Sequence, residues 1–318
     1  MNGNFCAVAL LFLSLTANSA LAQEPGPNFK KIADGIFVRA LKPADANATI
    51  ILTSEGIVLI DSGHNALDWV ALKEATNRFP ALPVRYLINT ESHTDHTSGH
   101  WLFAPPAIII AHQGATAGMK HDGLTPERID KIMADNAHRP EFKSFRVITP
   151  HIEYQDRMKL EVGERTIELR YLKSVHSEAD SAVWLPKERI VFAAASVGVK
   201  RFSNLRPFVK IADTLEAIKM MKALKPEIVV PGHGAPGTVN ILDDMERYYT
   251  TLVERVGAMV KQAKSLDEIK RELRIPGTED WEGRERFPNN IEAAYRHAIP
   301  AAAPKPAPAR PLHGDRPE

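Results

Sequence analysis

The chain has 318 residues, 44% of them hydrophobic and 25% charged, with a formal net charge of +1. That length suffices for one large α/β domain with its own core. Nucleic acid is excluded as the main partner, because neutralising phosphates needs a basic groove and the Lys and Arg residues here are interspersed with Asp and Glu.

The N-terminus reads as an export signal spanning residues 1–22. An apolar stretch from Phe5 to Leu15 is followed by a polar break at Ser14 to Ser19 and by Ala20-Leu21-Ala22, a small-residue exit before Gln23. A spanning helix needs about 20 apolar residues, more than this stretch supplies, so no stable membrane span is expected once the leader is removed. Cys6, the single cysteine, falls inside the leader. The mature chain therefore has no disulfide and no thiolate ligand, which suits a bacterial periplasm or secretion.

Gly35 to Leu41, Ala48 to Thr53 and Gly56 to Asp61 read as successive strands with a tight turn at Ser54-Glu55-Gly56. Asn65 is placed to cap a helix whose apolar positions Leu67, Ala71, Ala75 and Phe79 recur every four residues and end before Pro80. Val84 to Asn89 and Ala107 to Ala111 have the near-continuous apolar character of strands covered on both faces. The stretch Gly114 to Arg139 reads as helix in two pieces, broken near Gly123-Leu124, with Thr125 as cap and Pro126 in the first turn. Met158 to Val162, Thr166 to Leu172, Ser181 to Leu185 and Arg189 to Ala194 form a second run of strands. A helix near Asp213 to Leu224 and a strand at Ile228 to Val230 follow, then an amphipathic helix from about Asn240 to Lys264. Further helices are expected over Ser265 to Arg274 and Asn289 to His297, and the Pro/Ala-rich residues 299–318 read as a disordered tail.

One stretch carries chemistry above all others. Glu91-Ser92-His93-Thr94-Asp95-His96 follows the apolar run Val84 to Asn89, so four metal-capable side chains stand at a strand end. Continued extended backbone would project Glu91, His93 and Asp95 together, with His96 turned toward them by the loop. His176, in Lys173-Ser174-Val175-His176-Ser177-Glu178-Ala179-Asp180, and His233, in Pro231-Gly232-His233-Gly234, also follow strand-like runs and stand in turn chemistry. His64, His100, His112, His121, His138, His151, His297 and His313 match no ligand pattern and are expected to be structural or superficial.

This series of strand-end sites resembles the metallo-β-lactamase-fold hydrolases, whose signature is His-x-His-x-Asp-His followed by a lone His, an Asp and a final His in separate loops. Glu91, His93, Asp95, His96, His176 and His233 occupy those places over a match from about Ile36 to Gly237, and Ile57 to Gly63 looks like the family's earlier strand ending in Asp. The resemblance implies a four-layer αββα sandwich. It also implies a metal set of Glu91, His93 and His176 and a second of Asp95, His96 and His233, holding one or two zinc ions, with manganese or iron as alternatives.

Two positions depart from the family pattern: Glu91 replaces the first His, and Ala195 stands where the metal-bridging Asp is usual, with Ser196 beside it. The activity implied is hydrolysis of a small ester, lactone, thioester or amide, with Asp95 orienting water and passing a proton onward. Ser196, Lys200 and Arg201, with Arg206, are candidate substrate contacts. A β-lactamase is the main rival in this class, and a non-catalytic metal- or partner-binding relative is the alternative outside it. An iron sulfur dioxygenase is disfavoured by Ala195.

Overall fold

The computed structural model describes residues 24–39, 46–63 and 65–299. The expected leader with Cys6, His64, and the tail beyond Ile299 with His313 lie outside the described residues. Two sheets face each other. The first holds β1 (Lys30–Ala33), β2 (Ile36–Arg39), β3 (Ala48–Thr53), β4 (Gly56–Ile60), β5 (Val84–Ile88), β6 (Ile108–His112) and β7 (Ile152–Tyr154), in that order. It is antiparallel from β1 to β4 and parallel from β4 to β7. The second sheet, from β8 (Arg157–Val162), β9 (Arg165–Tyr171), β10 (Ser181–Leu185), β11 (Ile190–Phe192) and β12 (Ile228–Val230), runs β12-β11-β10-β9-β8 and is parallel only between β11 and β12.

Period-two alternation gives each sheet an inner and an outer face. Ile36, Val38, Ile51, Val58, Ile60, Ile88 and Ile110 of the first sheet meet Ile167, Leu169, Val183, Leu185, Ile190 and Phe192 of the second in one buried cluster. Burying each such side chain contributes about 1.5–3 kcal/mol, so this interlayer sets the spacing of everything at its rim. The outer face of the first sheet is covered by α1 (Ala66–Asn77), through Leu72, Ala75 and the following Phe79. The outer face of the second sheet is covered by α5 (Ile211–Ala223), α6 (Asn240–Lys261), α7 (Leu266–Glu272) and α8 (Phe287–Ala298). The expected αββα layering is thus the observed one.

Several local expectations need correction. Leu67 is 60% exposed, and α1 instead buries Trp69, Leu72, Ala75 and Thr76. The capping box between Asn65 and Asp68, with Asp68 bound to buried Arg39, fixes the helix rotation, so Asp68 lies inward and Leu67 is turned out. The Gly114 to Arg139 region is α3 (Ala115–Gly118), a π-helical turn (Met119–Gly123) and α4 (Pro126–Asp135), with Thr125 and Pro126 at the cap as expected. β1 and β7 match none of the expected strands.

Candidate metal centre

The loops after β4, β5, β11 and β12, with the β9–β10 connection, gather at one rim of the sandwich, and every candidate ligand lies on them. The backbone does not stay extended through the Glu91–His96 stretch. It turns helical at His93, which caps α2 (Thr94–Thr97), and Thr97 Oγ1 donates back to the His93 carbonyl at 2.9 Å. The change of backbone divides the stretch between two clusters. Glu91, His93 and His176 form one and Asp95, His96 and His233 the other, each with donor atoms within 4.8 Å of one another. Tetrahedral zinc sets its donors about 3.3 Å apart, so small side-chain adjustments would close each cluster on one ion.

Electrostatics within the clusters are strong because they are buried. Glu91 is fully buried, with Oε2 2.5 Å from His93 Nδ1 and Oε1 3.1 Å from His96 Nε2. Burial alone would raise its pKa, but His93 and His96 hold it below the usual carboxylate value. Burial likewise opposes charge on His96, yet Glu91, Asp61 and Asp95 push its pKa up to about 10. His176 moves the other way, well below the ordinary imidazole value, through burial and then the nearby positive charges of His93 and Arg206. His176 Nδ1 is buried with no hydrogen-bond partner, while Glu91 Oε1 and His96 Nε2, buried 3.1 Å apart, form an ion pair but no well-aligned hydrogen bond.

The surrounding residues explain how the clustered side chains are held. Asp61 Oδ1 accepts from the Thr90 amide at 2.7 Å and Asn89 Nδ2 at 3.1 Å, while Oδ2 accepts from Thr90 Oγ1 at 2.6 Å and His96 Nδ1 at 2.8 Å. Asp180 closes the His176 loop by accepting from the His176 amide at 2.5 Å, the Ser177 amide at 2.8 Å and Ser177 Oγ at 3.0 Å. Burial and the charge of Glu91 raise the Asp180 pKa to about 7. Asn47 splints the His233 loop, donating through Nδ2 to the carbonyls of Pro231 and Gly234, each at 2.8 Å. None of these three roles was assigned from sequence. The available signals were an Asp closing the strand before Ser62-Gly63 and an Asp four residues after His176.

Ala195 follows β11 in the loop against His233. Its neighbour Ala194 has φ +50°, and the Gly232 amide donates to the Ala194 carbonyl at 2.9 Å. Ser196 is buried, and Ser203 Oγ donates to the Ala195 carbonyl at 3.2 Å. Lys200 pairs with Asp280 at 2.6 Å and Arg201 approaches Glu282 at 3.8 Å, ion pairs that tie this loop to the segment before α8. Of the remaining histidines, His100 Nδ1 donates to the Ile148 carbonyl at 3.0 Å, His151 Nδ1 accepts from the Ile109 amide at 3.0 Å, and His112 stacks on Tyr171 with ring centroids 3.6 Å apart.

A fold of this kind with two such clusters at its rim defines a class. The chain belongs to the metallo-β-lactamase superfamily, whose family model matches residues 41–233. Among curated proteins it is 26% identical, over 158 residues, to the 2,4-dinitroanisole O-demethylase subunit alpha of Nocardioides sp. (strain JS1661), a match covering 49% of this chain and 42% of that protein. Among solved structures it is similar to the stereoselective inverting sec-alkylsulfatase Pisa1 from Pseudomonas sp., with TM-score 0.65, 16% identity, and coverage of 90% of this chain and 52% of that one. It is also similar to a metallo-β-lactamase from Pontibacter korlensis, with TM-score 0.53, 18% identity, and coverage of 70% of this chain and 98% of that one. The chain thus spans about half the length, or less, of the demethylase subunit and the alkylsulfatase.

Proposed function

We propose that the chain is an exported, zinc-dependent hydrolase acting on a small ester, lactone, thioester or amide. The observation that carries this reading is the pair of three-donor clusters, in which His176 Nδ1 is buried without a hydrogen-bond partner and Glu91 Oε1 and His96 Nε2 have only each other, as an ion pair. Leaving an atom such as His176 Nδ1 unsatisfied costs about 1–3 kcal/mol, a penalty that a bound cation removes. A His₂Glu set and an Asp-His₂ set suit zinc, and the carboxylates also accommodate manganese or iron.

A zinc ion bound there supplies a Lewis acid and brings the pKa of a water from 15.7 toward about 7. The chain's own residues do the rest. Glu91, His93 and His176 bind at the first position and Asp95, His96 and His233 at the second. Asp61 keeps His96 protonated on Nδ1, so that Nε2 is the atom offered inward. Asp95 is the most exposed ligand candidate of its cluster at 17%, against 0% for His96 and 10% for His233, and it is placed to orient a water and pass its proton to a departing group. Ser196, Lys200 and Arg201, with the cationic Arg206, are the candidates for substrate contact, Lys200 and Arg201 through cationic groups that also face Asp280 and Glu282.

Elemental analysis of purified protein, followed by a hydrolysis screen, tests the reading. The panel holds carboxylic esters, lactones, thioesters and β-lactams, with a secondary alkyl sulfate and a nitroaryl methyl ether added because of the names of the similar proteins. Protein that contains no transition metal and takes up none after chelation would overturn it, and zinc without turnover would favour a binding role. Export is tested separately: a mature N-terminus near Gln23 supports it, and intact Met1 on cytosolic protein opposes it. Among the described residues no helix is long and apolar enough to cross a membrane.

A further inference from the structure

The segment from Gly114 to Gly123 lies against both loops that build the first cluster. A methyl group on Gly114 would overlap the carbonyl oxygen of Glu178 and lie 3.0 Å from its carbon, in the loop that carries His176. One on Gly118 would overlap Ser92 Oγ and lie 2.7 Å from Ser92 Cβ, between Glu91 and His93. One on Gly123 would overlap the Ser92 carbonyl oxygen. No left-handed backbone angle accounts for these glycines, since none of the three is among the positive-φ residues. Glycine in a helix costs about 0.5–1 kcal/mol relative to alanine, and Gly118 closes α3. What the three positions share is the absence of room for a side chain.

The other observation concerns what this packing positions. Glu91 Oε1 and His176 Nδ1, one from each contacted loop, are buried without a hydrogen bond, Glu91 Oε1 having only the His96 imidazole 3.1 Å away. The π-helical turn Met119–Gly123 also packs on α2, the helix carrying Asp95 and His96, but the close approaches at the three glycines fall on Ser92, Glu178 and His112, and none of them on the His233 loop. A π-turn wedged into helical structure is a frequent companion of functional sites.

We propose that Gly114, Gly118 and Gly123 are positioning residues that set the separation between the Glu91–His93 loop and the His176–Asp180 loop, so that metal capture by the first cluster, and not by the second, depends on them. The inference rests on the metal-binding reading of the two clusters. Positioning partners of metal ligands are worth about 10–100-fold in affinity, and this is the loss expected.

The test is a zinc titration of chelated full-length protein, with Co²⁺ substitution as a spectroscopic report of each site. Wild type takes up two ions. Gly118→Ala keeps its fold by circular dichroism, loses first-site affinity about 10–100-fold and retains the second site. Adding Ser92→Gly removes both atoms that a residue-118 methyl would strike, so the double variant regains the first ion. The same Ser92→Gly change does not rescue Gly123→Ala, whose obstacle is a backbone oxygen. Gly257→Ala in α6, where nothing lies within 4 Å, leaves both sites unchanged. Should Gly118→Ala fail to fold, Ser92→Thr enlarges the same contact from the other side and takes its place with the same expectation. Gly118→Ala with wild-type affinity at both sites, equal loss at both, or no rescue by Ser92→Gly overturns the proposal while the metal reading stands. Wild type that binds no ion overturns both.

Discussion

Asp61 and His96 meet at 2.8 Å, Oδ2 to Nδ1, with both side chains almost fully out of solvent. A carboxylate in that position accepts a hydrogen bond from Nδ1–H, so Nε2 is the nitrogen that faces the interior of the cluster. Asp61→Asn keeps the volume and removes the charge, and its amide can present a donor where an acceptor is needed. The second-site zinc affinity should fall about 10–100-fold while the first site changes little, as read by competitive titration against a chromophoric chelator. Equal affinity in variant and wild type would show that His96 is oriented by something else.

Asp95→Asn addresses the chemistry. It preserves shape but withdraws the carboxylate placed for proton transfer, so turnover on any substrate found in the screen should drop about 10²-fold or more. Zinc content must be measured on the same sample, because Asp95 is also a ligand candidate. Full activity with zinc retained removes Asp95 from the mechanism.

Acid sensitivity should pass through His100. Its burial outweighs its bond to the Ile148 carbonyl and lowers its pKa to about 4, whereas the unfolded chain titrates near 6.5. The unfolded state therefore binds more protons between those values, and the stability His100 contributes is present above about 6.5 and lost as pH falls toward 4, amounting to at most about 3 kcal/mol. In urea unfolding of chelated protein, the stability gap between wild type and His100→Gln should narrow from pH 7 to pH 4.5. A gap that widens on acidification contradicts the assignment.

Gly232→Ala should damage the other end of the site. Its methyl would lie 2.5 Å from Ala195 Cα and 2.6 Å from the Ala194 carbonyl oxygen, atoms of the main chain that cannot rotate aside. The cost should be about 1–3 kcal/mol of stability, seen as a lower melting temperature, together with weaker zinc binding at the His233 side. An unchanged melting curve would mean that the two loops separate freely.

Sequence reading reached the layers because buried strands such as Ile57–Ile60 and Ile190–Phe192 leave an unmistakable apolar record. It missed β1, half-exposed Lys30–Ala33, and β7, mostly exposed Ile152–Tyr154, because short edge strands need not be apolar. The division of Glu91 to His96 between two clusters followed from matching a pattern; the physical cause, a helical turn starting at His93, depends on hydroxyl-to-carbonyl bonds that periodicity does not reveal. Leu67 misled because a four-residue apolar repeat fixed the helix phase wrongly, while Arg39, far away in the chain, holds Asp68 inward. Asn47 acts on backbone carbonyls of the distant His233 loop and Gly118 packs on the Ser92 side chain, and nothing local in their sequence advertises that, whereas Asp180 acts within its own loop.

Each cluster draws on both sheets. Glu91, His93, Asp95 and His96 hang from the strand end of β5 in the first sheet, whereas His176 and His233 belong to loops of the second. An ion seated in either cluster is therefore a cross-link between two halves of the sandwich, closing a long loop of chain as a disulfide would in a protein that has one. With a single cysteine, Cys6, the chain has no disulfide within itself, and its resistance to heat should rise and fall with the free metal around it.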